Sequence, residues 1–200
     1  MKAQIFKGTV LSRTVVKNNI LRIWDMTSTE ERQDWYQEAH DWSEALGLVH
    51  ELPVSKVCGV VAALSPLKTW DQNLKIARDM VLTGDCGHMG AFKNKAINIL
   101  KSDGSDESIK TILSGNKITS FYVNIMHPDK TTEVTIDRHA LSIALGRWIT
   151  DEDYAGMTDL QYNFFVDCFT LAAKKVGVKP LLMQSATWVK FRKIKKDYRK

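Results

Sequence analysis

Apolar side chains recur at three- and four-residue steps along most of this chain, a spacing that lines up on one face only if the backbone is helical. Trp35, Ala39, Trp42 and Leu46 show the pattern, whereas alternating apolar and polar runs of the kind that build a half-buried strand are short and few. An all-α fold is therefore expected. Ser28-Thr29-Glu30-Glu31 reads as a capping box opening a helix to about Leu48. The run VSKVCGVVAAL from Val54 to Leu64 is apolar nearly all round, as a central buried helix would be, and Pro66 stops it. Thr69-Trp70-Asp71-Gln72 is a second capping box, leading a helix to about Leu82. After the turn GDCGHMG, helices are expected over about Phe92–Lys101, up to about Leu113, from Ile118 to Met126 and from Ile136 to Gly146, the last two forming a helix–turn–helix hairpin. Thr158-Asp159-Leu160-Gln161 caps a long helix to about Val176. Gly177 and Pro180 then separate it from a basic amphipathic helix.

Two hundred residues, 44% of them hydrophobic, suffice for one large domain or two small helical lobes, and no linker or repeat marks a boundary. Cys58, Cys86 and Cys168 lie far apart without metal-ligand spacing, which argues against a zinc site or a four-cysteine cluster. No stretch approaches the roughly 18 apolar residues of a membrane span, and the start of the chain turns polar at once. The expectation is a cytoplasmic protein. Its charge is uneven: residues 190–200 carry seven Lys/Arg against one Asp, which is +6 of a net +5 and leaves the remainder at −1. Such an end suits phosphate contacts, with a solvated tail as the plainer reading.

The segment with most chemistry in it runs from Leu113 to Gly146. A glycine turn, Ser114-Gly115-Asn116, delivers Lys117, and Asp137 follows 20 residues later within Ile136-Asp137-Arg138-His139. Here the chain resembles the helix-hairpin-helix DNA glycosylases, which place a glycine-rich hairpin before a lysine and a catalytic aspartate at the head of a later helix. Lys117 to Asn124 and Ile136 to His139 are similar to the archaeal 8-oxoguanine glycosylases. Ala63-Leu64-Ser65-Pro66-Leu67-Lys68-Thr69 looks like a turn of the endonuclease III branch, and Gly90 to Ile99 resembles its helix with an Asn-Lys-Ala core. The likeness covers about residues 54–147. Residues 1–50, and the later stretch with Gln184, Trp188 and Arg192, match nothing in the characterised enzymes of that family, although small phage proteins look similar throughout.

The resemblance implies a helix-hairpin-helix glycosylase-like bundle that excises a damaged or modified base, oxidised guanine being the first guess. Breaking an N-glycosidic bond builds positive charge on the deoxyribose and calls for a nucleophile at C1′. Asp137 supplies the negative charge and Lys117 an amine that attacks and forms a Schiff base, adding lyase activity. Backbone amides at Gly115 and Asn116 are placed to grip a phosphate. The target nucleotide must leave the stack, and Leu67, with Lys68 beside it, is the candidate wedge at an apolar turn. Arg138, His139, Lys193, Lys195 and Lys196 complete the DNA-binding candidates. Each has a bland counterpart: a helix cap for Asp137, a surface lysine for Lys117, a core cap for Leu67, a structural histidine for His139 and a salt bridge for Arg138. Trp70 and Trp188 are weighed between stacking on bases and core packing.

The expected partner is double-stranded DNA, bound by a monomer with no obligate protein partner, no membrane, no metal and no cofactor. The hairpin departs from the family pattern, with one glycine and no residue between Asn116 and Lys117. If that turn aims the lysine elsewhere, Asp137 acts with water and the lyase step is lost. Two alternatives stay open: an enzyme that rebuilds rather than removes a base on the same scaffold, and a DNA-binding module without turnover.

Overall fold

The computed structural model describes residues 4–88, 90–155 and 157–198. Among them are eleven α-helices, two three-residue strands and two 3-10 turns, so the fold is all-α. Contacts divide the chain into two compact units: residues up to Trp35 together with those from Thr131 onward, and Tyr36–Lys130.

In the first unit, β1 (Gln4–Phe6) and β2 (Thr9–Leu11) form an antiparallel hairpin with Phe6 opposite Thr9. Its turn uses Lys7 and Gly8, both at positive φ. Helix α1 (Arg13–Asp25) follows, then a 3-10 turn at Glu30–Arg32. The later part adds α8 (Arg138–Leu145), the single turn α9 (Asp151–Tyr154), α10 (Asp159–Val176), α11 (Pro180–Ile194) and a closing 3-10 turn at Lys195–Tyr198. Val16, Ile20 and Ile23 of α1, Leu141 and Ala144 of α8, Phe165 and Phe169 of α10 and Met183 of α11 meet in one core. Asn19 closes α8 by donating its amide to the Ala144 carbonyl at 3.0 Å. It sits against Gly146, which takes φ 66° and where a Cβ would lie 3.0 Å from Asn19 Nδ2.

The second unit holds α2 (Trp35–Val49, whose first residue belongs to the other unit), α3 (Val54–Leu64), α4 (Trp70–Thr83), α5 (Gly90–Lys101), α6 (Asp106–Leu113) and α7 (Asn116–Met126). Residues 57–64 of α3 are all buried, because α4, α5, α6 and α7 pack around it. Gly59 lets two of them in: a Cβ there would lie 2.9 Å from Ile109 Cγ2 and 3.0 Å from Ile99 Cγ2. The first turn of α6 is tied to α7 by the Tyr122 hydroxyl donating to Asp106 Oδ1 at 2.5 Å, with His127 Nε2 at 2.6 Å from Asp106 Oδ2.

Several boundaries fall where the capping signals put them, including reciprocal Thr–Gln boxes at the starts of α4 and α10. Three expectations are corrected. The Ser28–Glu31 box forms, with Ser28 N–H donating to Glu31 at 3.0 Å, but it opens only a 3-10 turn, and the backbone extends at Gln33 before α2 starts at Trp35. The cause is Glu31, 5% exposed and held by Lys193 at 2.7 Å and Lys190 at 3.6 Å, which ties this turn to α11. Burial works against its ionisation, yet the Lys193 hydrogen bond, the Ser28 N–H and both lysine charges lower its pKa. The last helix is not an amphipathic surface rod: Leu181, Met183, Gln184, Ser185, Ala186, Thr187 and Phe191 are buried, and its basic residues gather at its end. Finally, the helices after Gly115 and after Asp137 belong to different units. The hairpin lies one helix earlier, between α6 and α7.

Candidate active site

The residues before Asp137 have no regular secondary structure and are buried from Val134 to Ile136. Without a strand partner, their backbone groups are satisfied by two tyrosines of the same unit. The Tyr162 hydroxyl accepts the Ile136 N–H and donates to the Val134 carbonyl, both at 3.1 Å. Tyr154 donates to the Ile136 carbonyl at 2.6 Å. Burial, then Tyr162 and Asp137, push the Tyr154 hydroxyl well above its usual range, so it stays a donor. The chain thus arrives at Asp137 in a fixed place.

Asp137 caps α8. Its Oδ1 accepts the Ala140 N–H at 2.7 Å, which satisfies one of the free donors at the helix start. Its Oδ2 accepts the indole N–H of Trp188, on α11, at 2.8 Å. The indole is itself boxed: the Arg192 guanidinium lies over it at 4.8 Å, Trp35 tilts against it at 6.4 Å and the His139 ring meets it edge-on at 6.1 Å. His139 also contacts Trp148 at 5.9 Å and Phe191 at 6.0 Å, and its Nδ1 is buried with no hydrogen-bond partner among the described residues. Burial lowers the pKa of this imidazole; the Asp137 carboxylate opposes the shift and Arg138, Lys195 and Arg192 reinforce it. Arg138 stacks over Trp148 at 5.1 Å and bonds Asp151 at 3.2 Å. A carboxylate, a neutral imidazole, three indoles and three cations therefore share one region of the first unit.

Of the other predicted residues, Leu67, Lys68 and Lys117 belong to the second unit. Lys117 lies half-buried in the first turn of α7, in the second unit. The turn before it places Ser114 at φ 47° and Gly115 at φ 82°, and Lys95 closes the preceding helix through the Leu113 carbonyl and Ser114 Oγ. The cap residue of α7 is Gly115, which has no side chain to accept an amide, and nothing among the described residues lies within 4 Å of where its Cβ would be. Leu67 sits between α3 and α4 at φ 63°, 77% exposed, in a turn closed by Lys68 N–H on the Ser65 carbonyl. Of the basic end, Lys193 is engaged with Glu31, Lys195 is half-buried and Lys196 exposed, while Arg199 and Lys200 lie outside the described residues. The three cysteines are buried free thiols, and burial pushes Cys58 up to about 12.

Along residues 2–195 the chain matches DUF7178, a family of unknown function. It belongs to that family. No curated protein and no solved structure matches it. No helix among the described residues is long and apolar enough to cross a membrane.

What local sequence missed is the shell around Asp137. Trp188 stands 51 residues away and carries no motif, and Trp148, Tyr154 and Tyr162 belong to no motif either. Trp188, weighed as a base-stacking platform, has its ring taken up by Arg192, Trp35 and His139.

Proposed function

We propose that this DUF7178 member is a DNA glycosylase of the helix-hairpin-helix type that removes a damaged or modified base through Asp137. The observation that carries the reading is the Asp137 carboxylate, fixed by a helix amide on one oxygen and an indole on the other, with Arg138, Arg192 and Lys195 close to the neighbouring His139. A carboxylate held in that way suits a sugar that becomes cationic as its base departs. The C1′–N bond breaks with its electron pair leaving on the base, and Asp137 stabilises the positive charge left on the ring.

Lys117 is the nucleophile that the family resemblance assigns. Its neutral amine bonds to C1′ and loses a proton, the sugar ring opens to a Schiff base, and β-elimination then releases the 3′ phosphate ester. Leu67 fits the part of the wedge, since an exposed leucine in the left-handed region at a turn is an arrangement that costs about 1 kcal/mol and buries little. The first backbone amides of α7, at Gly115 and Asn116, suit a phosphate contact there, as do Lys68, Lys195 and Lys196 along the backbone. On this reading the protein works as a monomer on double-stranded DNA, with a side-chain chemistry that calls on no metal or cofactor.

The test is incubation with duplexes carrying a single 8-oxoguanine, uracil, thymine glycol or abasic site, followed by borohydride. Base release, with a covalent adduct that disappears in Lys117→Ala, is the expected result. Base release without an adduct restricts the chemistry to Asp137 and water, and no release from any duplex sinks the reading in favour of a base-rebuilding enzyme or a binding module.

A further inference from the structure

We infer that Trp188 is the positioning residue of the catalytic carboxylate, its indole N–H holding Asp137 Oδ2 in one orientation; the inference rests on the glycosylase reading of Asp137. An aspartate that merely caps a helix uses one oxygen, and its other oxygen turns toward water. Here the second oxygen is taken by a donor from a helix 51 residues further along the chain. An indole has a single N–H lying in the ring plane, so fixing the ring fixes the line along which it donates.

The ring is fixed from three sides, by Arg192 over its face, by Trp35 and by the edge of His139. The guanidinium does more than pack. A cation over the π face draws electron density from the ring and makes its N–H a stronger donor to the carboxylate. With Ala140 N–H on Oδ1 and the indole on Oδ2, one lone pair on each oxygen is used and the remaining pair on each is held in a set direction. This is what a group stabilising a developing charge requires, because an offset of about 1 Å costs up to about 100-fold in rate. It also explains why a tryptophan with little free face stands beside the site: its edge is used rather than its stacking surface.

The experiment has two arms on the full chain. In the first, the 15N–1H indole signal of Trp188, assigned by its loss in Trp188→Phe, is compared between wild type and Asp137→Asn. It is expected downfield in wild type and to move upfield in the variant; a signal that does not move overturns the inference, whether or not Trp188→Phe folds well enough for kinetics. In the second, single-turnover base release and duplex Kd are measured on the most rapidly cleaved of the lesion duplexes named above. Trp188→Phe is expected to slow release between about 10- and 100-fold at unchanged Kd. Adding it to Asp137→Asn is expected to slow release no further. A weakened Kd with an unchanged rate makes Trp188 a DNA contact and overturns positioning. If wild type releases no base, the glycosylase reading falls and the catalytic inference with it, while the first arm still reports whether the indole holds Asp137.

Discussion

Tyr162 and Ile136 meet through one hydroxyl that takes the Ile136 N–H at 3.1 Å, and that same hydroxyl donates to the carbonyl of Val134 at 3.1 Å. The segment leading to Asp137 is thereby held by a side chain from α10. Tyr162→Phe leaves a buried amide and a buried carbonyl without this partner, each a loss of about 1–3 kcal/mol when unsatisfied. Urea unfolding should show a destabilisation of that order, and amide exchange at Ile136 should speed up in the folded state. An Ile136 amide as protected as in wild type would remove the tyrosine from its role.

His139 carries a pH prediction. Its folded pKa lies below its unfolded value, so the unfolded chain binds the proton first, and the neutral, buried imidazole contributes stability that is complete above the unfolded value of about 6.5. That contribution is lost as the pH falls below 6.5 toward the lower folded value. Denaturation midpoints between pH 7.5 and 5.5 should therefore fall more steeply for wild type than for His139→Gln. Parallel slopes would mean that the imidazole is solvated in both states.

Gly59 sets the spacing of the second unit's core. Gly59→Ala places a methyl 2.9 Å from Ile109 Cγ2 and 3.0 Å from Ile99 Cγ2, and both of those carbons sit on stiff β-branched side chains. A loss of about 1–3 kcal/mol is expected by thermal or urea unfolding, although alanine is the better helix former. A neutral or stabilising effect would show that α5 and α6 move apart easily.

Leu67 separates stability from activity. Leu67→Gly relieves a left-handed leucine and should leave stability unchanged or raise it by up to about 1 kcal/mol. Base release from duplex should slow all the same, since a glycine cannot fill the gap left by an extruded nucleotide. Duplex turnover at the wild-type rate would return Leu67 to being a turn residue.

Lys193 and Glu31 bear on the basic end of the chain. Lys193→Ala removes the 2.7 Å contact to a carboxylate that is 5% exposed and leaves it the Ser28 N–H at 3.0 Å and Lys190 at 3.6 Å. A destabilisation larger than the roughly 0–1 kcal/mol of an exposed pair is expected, because a nearly buried charge loses its nearest partner. Lys196→Ala should leave stability within about 0.5 kcal/mol of wild type. Equal effects from the two variants would place Lys193 among the solvated charges.

The sequence by itself determined the helices wherever a local signal sets them. The Thr69 and Thr158 capping boxes start helices that Gly84 and Gly177 end in left-handed caps, and the all-apolar run from Val54 to Leu64 could be buried only at a centre. These signals act over three or four residues, within reach of a side chain and its own backbone. Asp137 as a helix cap was legible for the same reason. Tertiary structure decided where such signals were outvoted and what surrounds the cap. The Ser28 box opens only a short turn because Glu31 is drawn into an ion pair with Lys193, 162 residues away, and the apparently amphipathic last helix is buried because its small residues admit neighbours on several sides. The partner of Asp137 Oδ2 lay beyond any local pattern. A hydrogen bond across 51 residues leaves no spacing rule in the chain, and only the packing of α11 against α8 brings the Trp188 indole to the carboxylate.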